Sequence, residues 1–324
     1  MSRGAGKENK PQENTPRRVT REKATHKIRS HKFQSVTPGT QPKHHKLWTS
    51  FVVVIAVVVA MYFLKPEKTV NLALHNEVVP FRFYKRHCSQ QLLKEMHDYP
   101  NCIPKQCGRF VSDSLVSSEE VDILLKTAKS AIGLAGSSGG ASIVDLHSGA
   151  LSHKDKFINA YSILEFRKLL TKEFLGAYKA IMSKLKESIA KNFLIDESVL
   201  HLTRPTFFSK ISNITAKTVH DEYWHSHVDK EQYESFHYTS LVYLNTYKKD
   251  FEGGRFIFID GMEGNETKFS VEPKAGRVNA FTSGHENVHH IERVVHGTRY
   301  ALTVSFTCNS TLAVDTNFAT RYND

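Results

Sequence analysis

His227, Val228 and Asp229 form an H-x-D triplet, His289 follows sixty residues after it, and Arg299 stands ten beyond that. Two imidazoles and one carboxylate are the ligand set that grips a non-haem Fe(II) by one face and leaves three coordination positions open for co-substrate and O₂. In an extended segment residues i and i+2 point to the same side, so His227 and Asp229 can hold one metal from one short stretch, and His289 closes the face from a distant strand. Arg299 is a permanent cation with a two-pronged fork, suited to the far carboxylate of a dicarboxylic co-substrate. Catalysis at such a centre calls on no protein group beyond the metal site.

An H-x-D triplet arises easily by chance in a chain with 18 histidines, so the elements around it decide its meaning. Residues 238–245 read as a buried strand rich in aromatic and β-branched residues. Gly253 and Gly254 mark a turn, and 255–259 alternates as a second strand. Residues 271–276 form another turn leading into 277–282, and 298–306 is a last strand. Short strands with turn signals at this spacing predict a β-sandwich or jelly roll. On the last strand Arg299, Ala301 and Thr303 share a face. A guanidinium on the inner face of a core strand asks for an anionic ligand, because an unpaired buried charge is costly.

The run from His289 through Ile291, Val294, Gly297 and Arg299 to Thr303 resembles the distal half of the prolyl-hydroxylase type of Fe(II)- and 2-oxoglutarate-dependent dioxygenase. His227 and Asp229, then Tyr243-Leu244-Asn245, then Gly253-Gly254 match the proximal half in the same order. The longer runs GGASIVDLHSGALS, TRPTFFSKI, HDEYWHSHVDK and GTRYALTVSF are closer still to a membrane-anchored member of that family, over roughly Cys88 to Asn309. The resemblance implies a mainly β, α+β fold: a double-stranded β-helix (jelly roll, cupin-like) with flanking helices. It implies Fe(II), 2-oxoglutarate, O₂ and ascorbate as chemical partners. The iron ligands carry over to His227, Asp229 and His289, the 2-oxoglutarate arginine to Arg299, and a supporting tyrosine to Tyr243. Thr303 can add a hydrogen bond to the same carboxylate. By family analogy the substrate is a prolyl or lysyl residue of a protein, with succinate and CO₂ released.

His285, His290 and His296 also precede Arg299, but the family spacing selects His289. His220, His225 and His237 read as polar-surface or supporting residues, and Tyr223 and Trp224 as packing or mouth residues. Two other readings compete. In the first, a zinc hydrolase would use His225, His227 and Asp229, although Lys230 stands where a further histidine would belong and Arg299 has no role. In the second, a non-catalytic membrane-anchored binding protein would keep the fold without turnover.

The formal charge is +11, and it is unevenly spread. Residues 1–46 hold 12 Lys/Arg against 3 Glu, whereas the rest carries 32 basic against 30 acidic residues. The basic excess belongs to the tail, which argues against nucleic acid as the substrate of the remainder. Residues 47–64 are uncharged and mostly apolar, and as a helix these eighteen residues span about 27 Å, enough for a thin secretory membrane. Trp48 and Tyr62 sit near the ends, as interface anchors do. A basic flank before the span predicts a cytosolic amino terminus and a lumenal carboxy-terminal domain, a type II signal anchor in the endoplasmic reticulum or Golgi. The acceptor triplets at Asn213, Asn265 and Asn309 all follow the span. So do Cys88, Cys102, Cys107 and Cys308, for which an oxidising lumen makes disulfides plausible; three complete pairings are open.

The organisation expected is therefore a disordered basic tail over 1–46, a transmembrane helix over 47–64 and a cysteine-bearing stem over 65–108. A helical part of the oxygenase domain follows over 109–200, the dioxygenase core over 201–310 and a tail over 311–324. Within the helical part, residues 117–120 form a capping-box start and 166–193 one or two amphipathic helices. Residues 133–140 break the first helix, and 149–152 sit in an irregular segment that covers the barrel.

Overall fold

The computed structural model describes residues 44–63, 68–261 and 264–318. The tail expected over 1–46 lies, up to residue 43, outside the described residues. The chain divides into two units, Met1–Lys65 and Pro66–Asp324. In the first, a helix runs over His44–Phe63, and its described side chains, 48–59, are exposed. Among the described residues no helix is long and apolar enough to cross a membrane, so the span expected over 47–64 stands unconfirmed; part of it lies outside the described side chains.

The second unit is a jelly-roll-like pair of sheets. The large sheet runs in the order Arg82–Arg86, Cys107–Ser112, Val278–Thr282, Tyr238–Tyr243, Val294–Thr307, His201–Ser212, Ala141–Asp145, Ala150–Lys154. The small sheet runs Lys68–Ala73, Thr267–Val271, Phe256–Asp260, His289–Ile291. Central strands are buried on both faces, so their alternation separates two kinds of core rather than core from water. On Cys107–Ser112, Phe110 joins the core shared with the helices, whereas Val111 joins the core between the sheets.

The helices pack on the outer face of the large sheet. Ser118–Gly133 opens with the expected capping box, Ser117 and Glu120 each accepting from the other's backbone N–H. Residues 166–193 resolve into Leu164–Leu169 and Lys172–Phe193, and Phe174, Tyr178, Ile181, Met182 and Leu185 of the long helix are buried against Phe208, Val242, Leu302 and Val304.

Three expectations are corrected. The segment 65–108 is no stem: Lys68–Ala73 pairs in parallel with Thr267–Val271, and Arg82–Arg86 pairs with Cys107–Ser112. Leu72, Ala73 and Val79 are buried there, which a solvated linker would not allow. The segment 149–152 is not irregular: Ala150–Lys154 is a strand that pairs with Ala141–Asp145 and extends the large sheet beside His201–Ser212, while the first helix does end at Gly133 as expected. Of the tail expected over 311–324, the described residues up to 318 pack on the domain: Phe318 is buried against Tyr178, and Val314 donates its N–H to the Leu202 carbonyl.

The four cysteines form two disulfides, Cys88–Cys107 and Cys102–Cys308. The second joins positions 206 residues apart and ties the segment after the first strands to the end of the core. Cross-linking so long a loop restricts the unfolded chain strongly, and losing such a bond typically costs about 2–5 kcal/mol. A Cys102→Ala/Cys308→Ala variant should unfold at distinctly lower urea concentration than the parent; an unchanged midpoint would contradict a structural role for this bond.

Candidate active site

His227 and His289 meet as an antiparallel bridge at the edge of the small sheet. Each backbone N–H donates to the other's carbonyl, at 2.9 and 3.0 Å. Their rings therefore lie side by side, with centroids 4.4 Å apart. Val228 is extended, and Asp229 opens a four-residue helical turn, Asp229–Gln232. The Asp229 carboxylate sits 3.5 Å from His227 Nε2 and 3.3 Å from His289 Nε2. All three ligand atoms lie within 4.8 Å of one another, close enough to hold one ion.

The opposite ring nitrogens are fixed by backbone. His227 Nδ1 faces the His225 carbonyl at 3.0 Å, and His289 Nδ1 faces the Asn287 carbonyl at 2.8 Å. This selects the tautomer that turns Nε2 to a metal and stiffens the ring. His289 is also packed between Phe256 and Phe281, at 4.7 and 4.9 Å between centroids. Burial alone would raise the Asp229 pKa; the charge of His289 and hydrogen bonds from His227, His289 and Thr239 outweigh it and hold the carboxyl well below the usual range. Burial acts to lower the His227 pKa, but its bond to Asp229 dominates and raises it. Thr239, one residue into a central strand, escaped sequence reasoning, because nothing in the local sequence marks it out.

Arg299 is fully buried on Val294–Thr307. Its Nε donates to the Gly254 carbonyl at 3.0 Å, while both terminal nitrogens lack a hydrogen-bond partner. The Gly253-Gly254 turn makes this possible. Gly254 has φ +67°, and a Cβ there would stand 3.1 Å from Arg299 Cδ. Tyr243 lies beside the guanidinium, ring centroid 5.3 Å away, and its hydroxyl is buried and unpaired. Burial pushes that hydroxyl's pKa up to about 12, against the opposing pull of Arg299. Arg299, Thr303 and the three candidate ligands line one cavity of about 710 Å³.

The neighbouring arginines are already committed. Arg277 grips Asp113 by two nitrogens, at 2.7 and 3.0 Å, and donates to the carbonyls of Leu74, Glu272 and Glu77. Arg293 is exposed and lies over the Trp224 ring at 3.7 Å. A buried guanidinium with two idle prongs, next to an idle phenol, fits a carboxylate, and a two-imidazole, one-carboxylate donor set fits Fe(II). The other histidines do not join the ligand group, although His220 and His225 line the same cavity. His225 pairs with Glu222 at 2.7 Å, His285 with Glu231 at 2.9 Å, and His290 faces Ser226. The three-ligand zinc reading thus loses His225, whose exposed ring is turned to Glu222. His237, expected at the surface or in support, is buried and takes the Cys308 N–H on Nδ1 at 3.2 Å.

A profile described as the 2OG-Fe(II) oxygenase superfamily matches residues 214–307, the segment that holds the triad and Arg299. The chain belongs to this family, and it is accordingly a dioxygenase whose chemistry uses Fe(II) and 2-oxoglutarate. A Xenopus tropicalis protein, "2-oxoglutarate and iron-dependent oxygenase domain-containing protein 3", is 47% identical over 246 residues, covering 75% of this chain and 76% of that protein. A shorter match, 43% over 70 residues, is to prolyl 3-hydroxylase 2 of Gallus gallus, covering 22% of this chain and 10% of that one. Among solved structures, a Pseudomonas putida prolyl-4-hydroxylase aligns at 17% identity and TM-score 0.41, covering 67% of this chain and 98% of that one.

If the triad binds the iron, His227→Ala, Asp229→Ala and His289→Ala should each abolish or severely weaken Fe(II) binding in anaerobic titration, while His285→Ala and His290→Ala retain it. Near-parental affinity in His289→Ala would overturn the distal ligand. Arg299→Ala should keep iron but lose roughly 30-fold or more in 2-oxoglutarate affinity, since truncating one partner of a dry charge pair costs about 2–5 kcal/mol. Unchanged 2-oxoglutarate affinity would remove Arg299 from the site.

Proposed function

We propose that this chain is a membrane-anchored dioxygenase that hydroxylates a prolyl or lysyl residue of a secretory-pathway protein. The observation that carries the catalytic reading is the convergence of His227, Asp229 and His289 in one cavity with the unpaired fork of Arg299. Bound Fe(II) and 2-oxoglutarate supply the oxidant, with succinate and CO₂ as co-products and ascorbate keeping the metal reduced; the protein supplies binding, orientation and exclusion of water. His227, Asp229 and His289 present one face of the ion and leave the other open. Arg299, Tyr243 and Thr303 hold the far carboxylate of the co-substrate. Phe256 and Phe281 keep the buried side of the metal dry.

A protein substrate suits the mouth of the cavity, where Phe157, Val219 and Tyr233 are exposed. The short match to a prolyl 3-hydroxylase supports the same substrate class. A lumenal setting is supported by two disulfides, which persist in oxidising compartments. Asn213 and Asn265 are exposed and Asn309 is partly so, as glycan acceptors must be. An apolar helix whose described side chains, 48–59, are exposed, preceded by a strongly basic segment, supports the type II anchor.

Two measurements test this reading. Purified protein with Fe(II) and ascorbate should convert 2-oxoglutarate to succinate; folded, iron-loaded protein without turnover would favour the non-catalytic binding protein. In sealed microsomes the carboxy-terminal domain should resist protease and shift on gels with glycosidase. Its digestion in intact vesicles would reverse the orientation.

A further inference from the structure

Behind the wall that carries Arg299 and Tyr243 lies a third idle polar group. Asn279 sits on Val278–Thr282, opposite Leu241 and diagonal to Tyr243, two residues further along the adjacent strand. Directly across an antiparallel ladder, paired residues share a face, and diagonal neighbours remain within reach of long side chains. Asn279 is therefore on the inner face with Tyr243, among apolar neighbours such as Val111 and Leu241. It is fully buried, and neither Oδ1 nor Nδ2 has a hydrogen-bond partner of good geometry. The diagonal register brings its side chain within reach of Tyr243, and as a donor it acts to lower the pKa of the Tyr243 hydroxyl. A buried amide left unsatisfied costs about 1–3 kcal/mol, so an aliphatic residue would suit this position better if packing were its only task.

We propose that Asn279 is a positioning residue for the co-substrate, donating an amide N–H to the Tyr243 oxygen so that the phenol O–H is aimed at the carboxylate held by Arg299. This rests on the assignment of Arg299 and Tyr243 to the far carboxylate of 2-oxoglutarate. Asn279 acts through Tyr243, and the role is visible only for ligands that carry that carboxylate.

The test is anaerobic calorimetry on the full chain loaded with Mn(II), comparing 2-oxoglutarate with 2-oxopentanoate, which has the same carbon chain and lacks the far carboxylate. Asn279→Leu, which keeps the branched shape without the polar atoms, should weaken 2-oxoglutarate roughly three- to tenfold, the size of one hydrogen bond, and leave 2-oxopentanoate unchanged. Asn279→Ala should behave alike should the leucine fail to fold. In a Tyr243→Phe background the same substitution should add no further loss, because a residue acting through a missing partner has nothing left to lose. Equal losses for both acids, no loss at all, or a loss that persists in Tyr243→Phe would each overturn the proposal. Parental protein that does not prefer 2-oxoglutarate over 2-oxopentanoate would overturn the co-substrate assignment, and the proposal with it.

Discussion

Two backbone hydrogen bonds, exchanged between His227 and His289, set the geometry on which the site depends. His289 belongs to the small sheet through its pairing with Phe258. The turn before it is held by Asn287, whose amide donates to the carbonyls of Gly108 and Thr282. His227 lies in no named strand, and the bridge fastens its loop to that framework. A narrow antiparallel pair has Cα atoms about 5.5 Å apart, which leaves room for two imidazoles to converge on one ion while Asp229 swings in from the following turn. A side-chain contact alone would have left the loop free to relax; the paired amides do not.

Burial of charge divides the arginines of the core by task. Arg109, Arg277 and Arg299 are all fully buried. Arg277 is saturated by Asp113 and three carbonyls and fastens the first strands to the turn at Glu272. Arg109 is neutralised by Asp260 and stacked between Phe258 and Phe269. Arg299 has one carbonyl and an aromatic face. An ion taken out of water without a counter-charge costs several kcal/mol, and a fold does not keep that penalty at its centre without a ligand that removes it. On the proposed assignment, the far carboxylate of 2-oxoglutarate supplies the missing charge. The same logic, at smaller energy, applies to the idle hydroxyl of Tyr243 and the idle amide of Asn279.

The candidate ligand set and the arginine were legible in the sequence through their surroundings: an H-x-D triplet ahead of a run of short strands, and a cation on a strand of otherwise apolar or small inward residues. The central strands were legible for the same reason that they are buried on both faces, as near-continuous β-branched and aromatic runs. The outer strands were not. Lys68–Ala73 and Arg82–Arg86 carry several polar residues at half-covered edges, so they read as stem until their partner strands, Thr267–Val271 and Cys107–Ser112, are placed beside them. Nor could spacing choose among cysteine pairings, since Cys102 finds Cys308 only once the last long strand has brought it back. Thr239 and Asn279 are single polar residues inside apolar runs, and nothing local distinguishes them from ordinary core substitutions.

The account's central claim is that one iron, held by His227, Asp229 and His289, is chelated by a 2-oxoglutarate whose far end lies on Arg299. Anaerobic titration of the Fe(II)-loaded chain with 2-oxoglutarate, followed by visible metal-to-ligand charge-transfer absorption, tests it most directly. The account predicts a band that saturates at one 2-oxoglutarate per chain and fails to form with Zn(II). Tight binding of 2-oxoglutarate with no such band, or binding that is indifferent to the metal, would contradict it.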